Sequence, residues 1–230
     1  MTSASGALLR VAAAGDSALI AEFPQRIDPE INERAAALAS RLRRQWGAVL
    51  RDVVVGYCTV TAYFDPLYVD ARWLEAEVRA AAEEDGDAPP GAPRTVEIPV
   101  CYDADLGPDL EDVAAFGSCS VDDVIARHTG RTYRVYMVGF VPGFAYLGQV
   151  DSQIAAPRRV TPRTLVPPLS VAIAGGQTGI YPRATPGGWN LIGRTVVVPY
   201  DPDRPDPSLL RVGDEVRFVR VSREVFERGA

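Results

Sequence analysis

Short apolar runs alternate with amphipathic stretches along the first third of the chain. Leu8 to Ala13 and Ala18 to Phe23 are strand-like runs parted by Gly15-Asp16, a turn pair. Asp28-Pro29-Glu30 marks a helix start, because Asp can cap free backbone N–H groups and Pro suits the first helical position. Ile31, Ala35, Leu38 and Leu42 then recur at helical spacing, with Arg34, Arg41 and Arg44 off that stripe. Val49 to Val55 and Tyr57 to Phe64 predict two strands around Gly56. Trp73, Leu74, Val78 and Ala81 predict a second helix from about Asp70 to Glu84, and Thr95 to Val100 returns to strand. The order ββ-α-ββ-α-β predicts a small α+β sandwich, with helices on one face of an antiparallel sheet.

The acidic, Gly- and Pro-rich stretch from Glu83 to Pro93 is the best linker candidate. It divides the chain into a small α+β domain, 1–93, and a mainly β domain, 94–230. The strand at Thr95 is still able to pair with the first domain. Beyond it, Asp109 to Phe116 reads as a helix. Ser120 stands where it can cap a further helix running through Val124 and Ile125, with Asp122 and Asp123 favouring its N-terminus. From Tyr133 onward β-branched and aromatic runs alternate with Gly/Pro turns: Tyr133–Val138, Ser170–Ala174, Thr195–Tyr200 and Glu215–Val221. That spacing predicts a β-barrel or sandwich rather than a parallel α/β sheet.

Composition narrows the chemistry. The 230 residues carry a net charge of −6, which argues against nucleic acid as the main partner. Every basic side chain except the one His is Arg; without Lys the chain supplies neither a Schiff base nor a P-loop lysine. A single His, His128, excludes a site built from two of this chain's histidines. Cys58, Cys101 and Cys119 are widely spaced with no CxxC pair, so reduced thiols in a cytosolic protein are expected. No basic region followed by an apolar one opens the chain, so no signal peptide is expected, and no apolar run is long enough to cross a bilayer.

Charge is unevenly placed. Residues 1–93 hold 9 Arg against 14 acids, whereas residues 127–194 hold eight Arg against Asp151 alone. An Arg-rich segment in an acidic protein has two readings. It is an anion-binding surface, since the planar guanidinium meets carboxylate or phosphate with paired hydrogen bonds, or its arginines pair with acids of the other domain or of a second subunit. The same segment holds three Gly/Pro-dense stretches: Gly139 to Gly148, Ala174 to Pro182 and Thr185 to Thr195. These are either ligand-approaching loops, with Gln177, Thr178, Tyr181 and Asn190 as polar contacts, or barrel corners plugged by Phe140, Phe144, Tyr146 and Trp189. His128 is either a general base or a partner of its own helix's C-terminal dipole. Asp201 to Asp206 has metal-friendly acids, but its prolines and Arg204 favour a solvated loop over a calcium site.

Taken in order, five motifs resemble one known family. They are His128; Gly139-Phe140-x-Pro142-Gly143-Phe144-x-Tyr146-Leu147; Pro157-Arg158-Arg159-x-x-Pro162-Arg163; Ser170-Val171-x-Ile173-Ala174-Gly175-x-Gln177-Thr178-Gly179-Ile180-Tyr181-Pro182; and Pro186-Gly187-Gly188-Trp189-x-Leu191-Ile192-Gly193-Arg194-Thr195. The chain resembles the KipI/PxpB family, also labelled allophanate hydrolase subunit 1, most specifically over about residues 120–215. One departure is visible. Pro167-Pro168-Leu169-Ser170 stands where the family usually has Pro-Ala-Gly-Ser, so Leu169 replaces a glycine.

The resemblance implies a cyclophilin-like barrel after the α+β domain. It further implies one component, the B component, of a multi-subunit, ATP-dependent 5-oxoprolinase that converts 5-oxoproline to L-glutamate. The implied partners are a C component of related barrel type and a separate A component. A lactam is a poor electrophile, and phosphorylating its oxygen with ATP would activate it. Arginines and glycine-loop N–H groups would then hold phosphate and carboxylate. On this reading the catalytic candidates are His128, Arg158, Arg163 and Gln177. The substrate- and ATP-binding candidates are Arg159, Gly175, Gly176, Thr178, Tyr181, Gly187, Gly188 and Arg194. Mg²⁺ would accompany the nucleotide, and the shortage of acids in this segment points to a site completed by another component. The rival readings are an allophanate hydrolase component and a regulatory protein that inhibits a kinase by binding it.

Overall fold

A computed structural model describes residues 8, 10–84 and 94–229; most of the proposed linker, 85–93, lies outside the described residues. The chain divides into two compact units, Met1–Ala92 and Pro93–Ala230.

The first unit is a four-stranded antiparallel sheet with two helices. Strands β1 (Arg10–Ala13), β2 (Ala18–Glu22), β3 (Leu50–Val55) and β4 (Thr59–Phe64) lie in the order β1-β2-β4-β3. Gly15, at φ 79°, turns the chain between β1 and β2 in a conformation that glycine adopts without penalty. Helix α1 (Pro29–Trp46) starts as its sequence predicts: the Asp28 carboxylate accepts from the N–H groups of Glu30 and Ile31. Ile31, Ala35, Leu38 and Leu42 are buried, and α1 packs on β3, β4 and helix α2 (Ala71–Glu83). Arg41 departs from the polar face assigned to it. It is only 4% exposed, and its guanidinium donates to the Ala81 carbonyl in the last turn of α2, where helical carbonyls lack partners.

The second unit is a closed seven-stranded barrel. Its strands are β5 (Thr95–Cys101), β6 (Thr132–Val138), β7 (Ala145–Gly148), β9 (Ser170–Ala174), β10 (Gln177–Ile180), β12 (Asn190–Thr195) and β13 (Glu215–Arg220), in the order β10-β7-β6-β13-β5-β12-β9. All neighbours are antiparallel except β13 and β5. Between them, β8 (Arg163–Val166) and β11 (Thr185–Gly187) form a separate ribbon. Helix α3 (Leu110–Gly117) packs on β12, helix α4 (Val121–Thr129) on β13, and the short α5 (Arg223–Glu227) on β5.

β5 therefore belongs to the barrel, not to the first unit's sheet. It is held by the parallel ladder to β13 and by the antiparallel pairing of Cys101 and Val100 with Arg194 and Thr195.

All five residues of β9 are buried, because the strand has apolar cover on both faces. Val171 and Ile173 join the main core with Ile98, Tyr133, Val135 and Phe218. Ala172 and Ala174 join a second cluster around Phe144, Tyr181, Trp189 and Leu191. The strand expected over Thr195–Tyr200 is displaced. The ladder runs over Asn190–Thr195 and stops there, where the Thr195 hydroxyl accepts from the Val197 N–H and turns the chain. β12 carries a bulge between Leu191 and Gly193. A side chain on Gly193 would meet the Cys101 carbonyl oxygen at 2.8 Å, so the glycine there serves close strand approach.

Candidate functional site

The Arg-rich segment builds two adjoining clefts on the barrel unit. The first, of about 320 Å³, is walled by Phe140, Tyr146, Tyr181 and Trp189, with Gly187, Gly188, Arg158 and Arg159 at its edge. Phe144 is buried behind it and meets four aromatic neighbours edge-on: Phe140, Tyr146, Tyr181 and Trp189, with ring centroids 4.8–5.8 Å apart. The second, of about 250 Å³, is lined by Arg163, Arg194, Asp105, Ser170 and Leu191 among others.

One carboxylate ties the two clefts together. Asp109, just before α3, is 2% exposed. It accepts from Arg159 Nη1 at 2.6 Å, from Arg163 Nη1 and Nη2 at 2.8 Å each, and from the Leu191 N–H at 2.7 Å. The sequence placed Asp109 only at a helix start. In the structure its side chain makes no cap bond and turns toward the arginines instead. This is the residue that sequence reasoning missed. An acid 50 positions before the Arg cluster gives no local signal, and the family motifs begin after it.

The four arginines proposed as anion clamps thus divide. Arg159 and Arg163 are paired with an acid of their own unit, and Arg159 also lies 3.6 Å from Asp112. Arg194 Nε donates to the Pro168 carbonyl at 2.9 Å. Arg158 is exposed and makes no hydrogen bond or ion pair among the described residues. Burial pushes the Tyr146 and Tyr181 phenols up, and the Arg158 charge opposes this at both, which places that charge beside the cleft wall.

The glycines divide as well. Gly175 and Gly176 form the two-residue turn joining β9 to β10, with Gly175 at φ 56°. The Gly175 N–H donates to the Ala156 carbonyl at 2.7 Å, so it is spent inside the protein rather than offered to a ligand. Gly187 and Gly188 do face the cleft. A side chain on Gly187 would strike the Tyr181 hydroxyl at 2.4 Å.

Thr178 lies on β10 in the barrel wall, and His128 reaches it from helix α4. His128 has no exposed surface and stacks on Phe218 at 4.5 Å. The Thr178 hydroxyl donates to the Ala172 carbonyl, so it accepts from His128 Nε2 at 2.9 Å. Nδ1 then accepts from the Tyr102 hydroxyl at 2.7 Å. Burial keeps the ring neutral by pushing its pKa down to about 3, and the network then sets its tautomer. With both nitrogens engaged and no surface, the ring is out of reach of a dissolved substrate in this conformation. Gln177 is half-buried on β10 and does not line either cleft. Among the described residues no group of three or more His, Cys, Asp or Glu stands where it could hold a metal. In the Asp201–Asp206 loop, Arg204 pairs with Asp201 and Arg211 with Asp206.

The carboxyltransferase domain family, subdomains C and D, matches residues 9–210. The B component of 5-oxoprolinase from Bacillus subtilis is 39% identical over 220 residues, covering 91% of this chain and 92% of that protein. The chain belongs to this family. The B component of 5-oxoprolinase from Escherichia coli O157:H7 is 40% identical over 213 residues, covering 89% and 93% of the two chains. The family inferred from the five motifs is thus the one found across about nine-tenths of the chain. Among solved structures, TTHA0988 superimposes with a TM-score of 0.79 at 40% identity; the match covers 89% of this chain and 40% of that one. The urea carboxylase of Kluyveromyces lactis shares the fold, with a TM-score of 0.76 at 18% identity, over 99% of this chain and 24% of that one.

Proposed function

We propose that this chain is the B component of a multi-subunit, ATP-dependent 5-oxoprolinase, which opens the lactam of 5-oxoproline to give L-glutamate. The observation that carries this is identity of 37–40%, across about nine-tenths of each chain, to three proteins that bear the name of that 5-oxoprolinase component. The two-domain division at residue 93 and the cyclophilin-like reading of the barrel belong to the same proposal. The partners are a C component of related barrel type and an A component, and the substrate is a small anion in the cytoplasm. Among the described residues no helix is long and apolar enough to cross a membrane.

The residues at the clefts do not fit a Mg²⁺–nucleotide site. Asp109, the buried carboxylate there, already accepts four hydrogen bonds, and a metal would have to displace two arginines from it; Asp105, at the second cleft, has both oxygens on Arg223. ATP and its Mg²⁺ are therefore assigned to another component. What this chain offers is an aromatic cleft with cationic edges, suited to holding a small anion while charge develops on it.

The proposal is tested by complementation. A bacterium lacking its own 5-oxoprolinase and supplied with the cognate A and C components is grown on 5-oxoproline as nitrogen source. Growth is expected only when this chain is also supplied. Growth without it, or none with it when all three proteins are present and folded, would contradict the proposal.

A further inference from the structure

The aromatic cleft has an unused cation on its rim. Arg159 and Arg163 share the Asp109 carboxylate, with Asp112 3.6 Å from Arg159, whereas Arg158 is left without a counter-charge among the described residues. The loop over the cleft is held in an unusual form. Phe140 stands at φ 70°, with the Val141 N–H donating to the Gly139 carbonyl at 2.9 Å, a γ-turn of the rare positive-φ kind. A bulky residue in that region is strained, and such strain collects at ligand-binding sites. The turn leaves the Phe140 ring 62% exposed and edge-on to Phe144. A free guanidinium beside flat apolar walls calls for a ligand with a carboxylate at one end and a small planar ring at the other. The cleft's volume of about 320 Å³ lies at the low end of the range for small-molecule sites, roughly 300–1,000 Å³.

We propose that this cleft holds the 5-oxoproline molecule itself, with its carboxylate on Arg158 and its lactam ring against Trp189 and Tyr146. This inference rests on the functional reading above and deepens it, by placing the substrate on this chain and naming the residue that selects a carboxylate. Arg158 acts here as a binding group: it discriminates 5-oxoproline from 2-pyrrolidinone, the same lactam without the carboxylate.

The test uses the assembled complex of the three components, with assembly checked by size exclusion. Binding of 5-oxoproline is read from Trp189 fluorescence, with Trp189→Phe identifying the signal, and turnover is followed alongside. R158Q is expected to weaken 5-oxoproline binding and raise its KM roughly ten- to a hundredfold, the loss typical of one charge-assisted hydrogen bond. It should leave the affinity for 2-pyrrolidinone unchanged. R183Q, an exposed arginine outside both clefts, should alter neither ligand. Unchanged 5-oxoproline affinity in R158Q, an equal loss for both ligands, or dissociation of the complex by R158Q would overturn the proposal. So would the lack of any saturable Trp189 signal in the wild-type complex. A wild-type complex that binds 5-oxoproline at Trp189 but never releases glutamate would instead contradict the functional reading and leave the cleft assignment standing.

Discussion

His128 shows how a residue's chemistry is set by its surroundings. From sequence it is the one side chain whose ordinary pKa lies near neutrality. In the structure it is a polar strut joining α4 to Tyr102 and Thr178, neutral because burial disfavours its cation. The consequence is a pH dependence of stability. Folding holds the pKa near 3, far below that of the unfolded chain, so the neutral ring favours the fold above the ordinary histidine range. As pH falls through that range the unfolded chain takes up a proton that the folded one refuses, and stability is lost at up to about 1.4 kcal/mol per pH unit from this group. Urea unfolding of wild type and H128Q at about pH 7.5 and about pH 5, either side of the ordinary histidine value, should show the wild type losing more stability over that interval. An equal loss in both proteins would show that the ring is not held neutral. Leu169 gives a second test. It keeps φ at 65°, the region a glycine would fill freely, while its N–H donates to the Tyr181 carbonyl and its own carbonyl accepts from the Thr195 N–H. Leucine thus bears the strain of a left-handed turn position. Because L169G and L169A both remove the side chain, comparing them isolates the backbone. The glycine variant should be the more stable, by about 1 kcal/mol; equal thermal unfolding midpoints would refute the strain.

At the scale of elements, caps and periodicity made the helices readable. Asp28 caps α1 and Ser120 caps α4 with a reciprocal bond to Asp123, both signals local in sequence. The barrel strands were harder. β7, β8, β10 and β11 are only three or four residues long, all but β8 contain Gly or Pro, and β8 lies among prolines, so they read as loops. Their strand character comes from neighbours across the sheet, which no local pattern reports. Asp109 is the same lesson in the site. It anchors the start of α3 to β12 through the Leu191 N–H and to the β8 ribbon through Arg163. D109A would leave two partly buried guanidinium groups and one buried N–H without this carboxylate, which should cost about 2–4 kcal/mol. Equilibrium denaturation checks this. A change under about 1 kcal/mol would mean that water replaces the carboxylate without penalty, and that the arginines are not held by it.

For the whole molecule, the sequence motifs carried the family and the barrel, while composition excluded whole classes of chemistry through the lack of Lys and the single His. The site was only partly readable. Arg158, Arg159, Tyr181, Gly187 and Gly188 do come together at one cleft, and Arg163 and Arg194 at its neighbour. His128, Thr178 and Gly175 serve the fold instead, and Gly176 and Gln177 line neither cleft, because burial and internal hydrogen bonding are properties of the folded chain that spacing does not encode. The fit of the cleft to a small anion, and its misfit to a metal-bound nucleotide, support the proposal that this chain is one component of an enzyme that divides its work among several. The measurement that tests this most directly is glutamate release from 5-oxoproline by the purified A and C components, with and without this chain, and with and without ATP. The account predicts glutamate only when this chain and ATP are both present. Full turnover by the A and C components alone, or none from an assembled three-component complex given ATP, would contradict it.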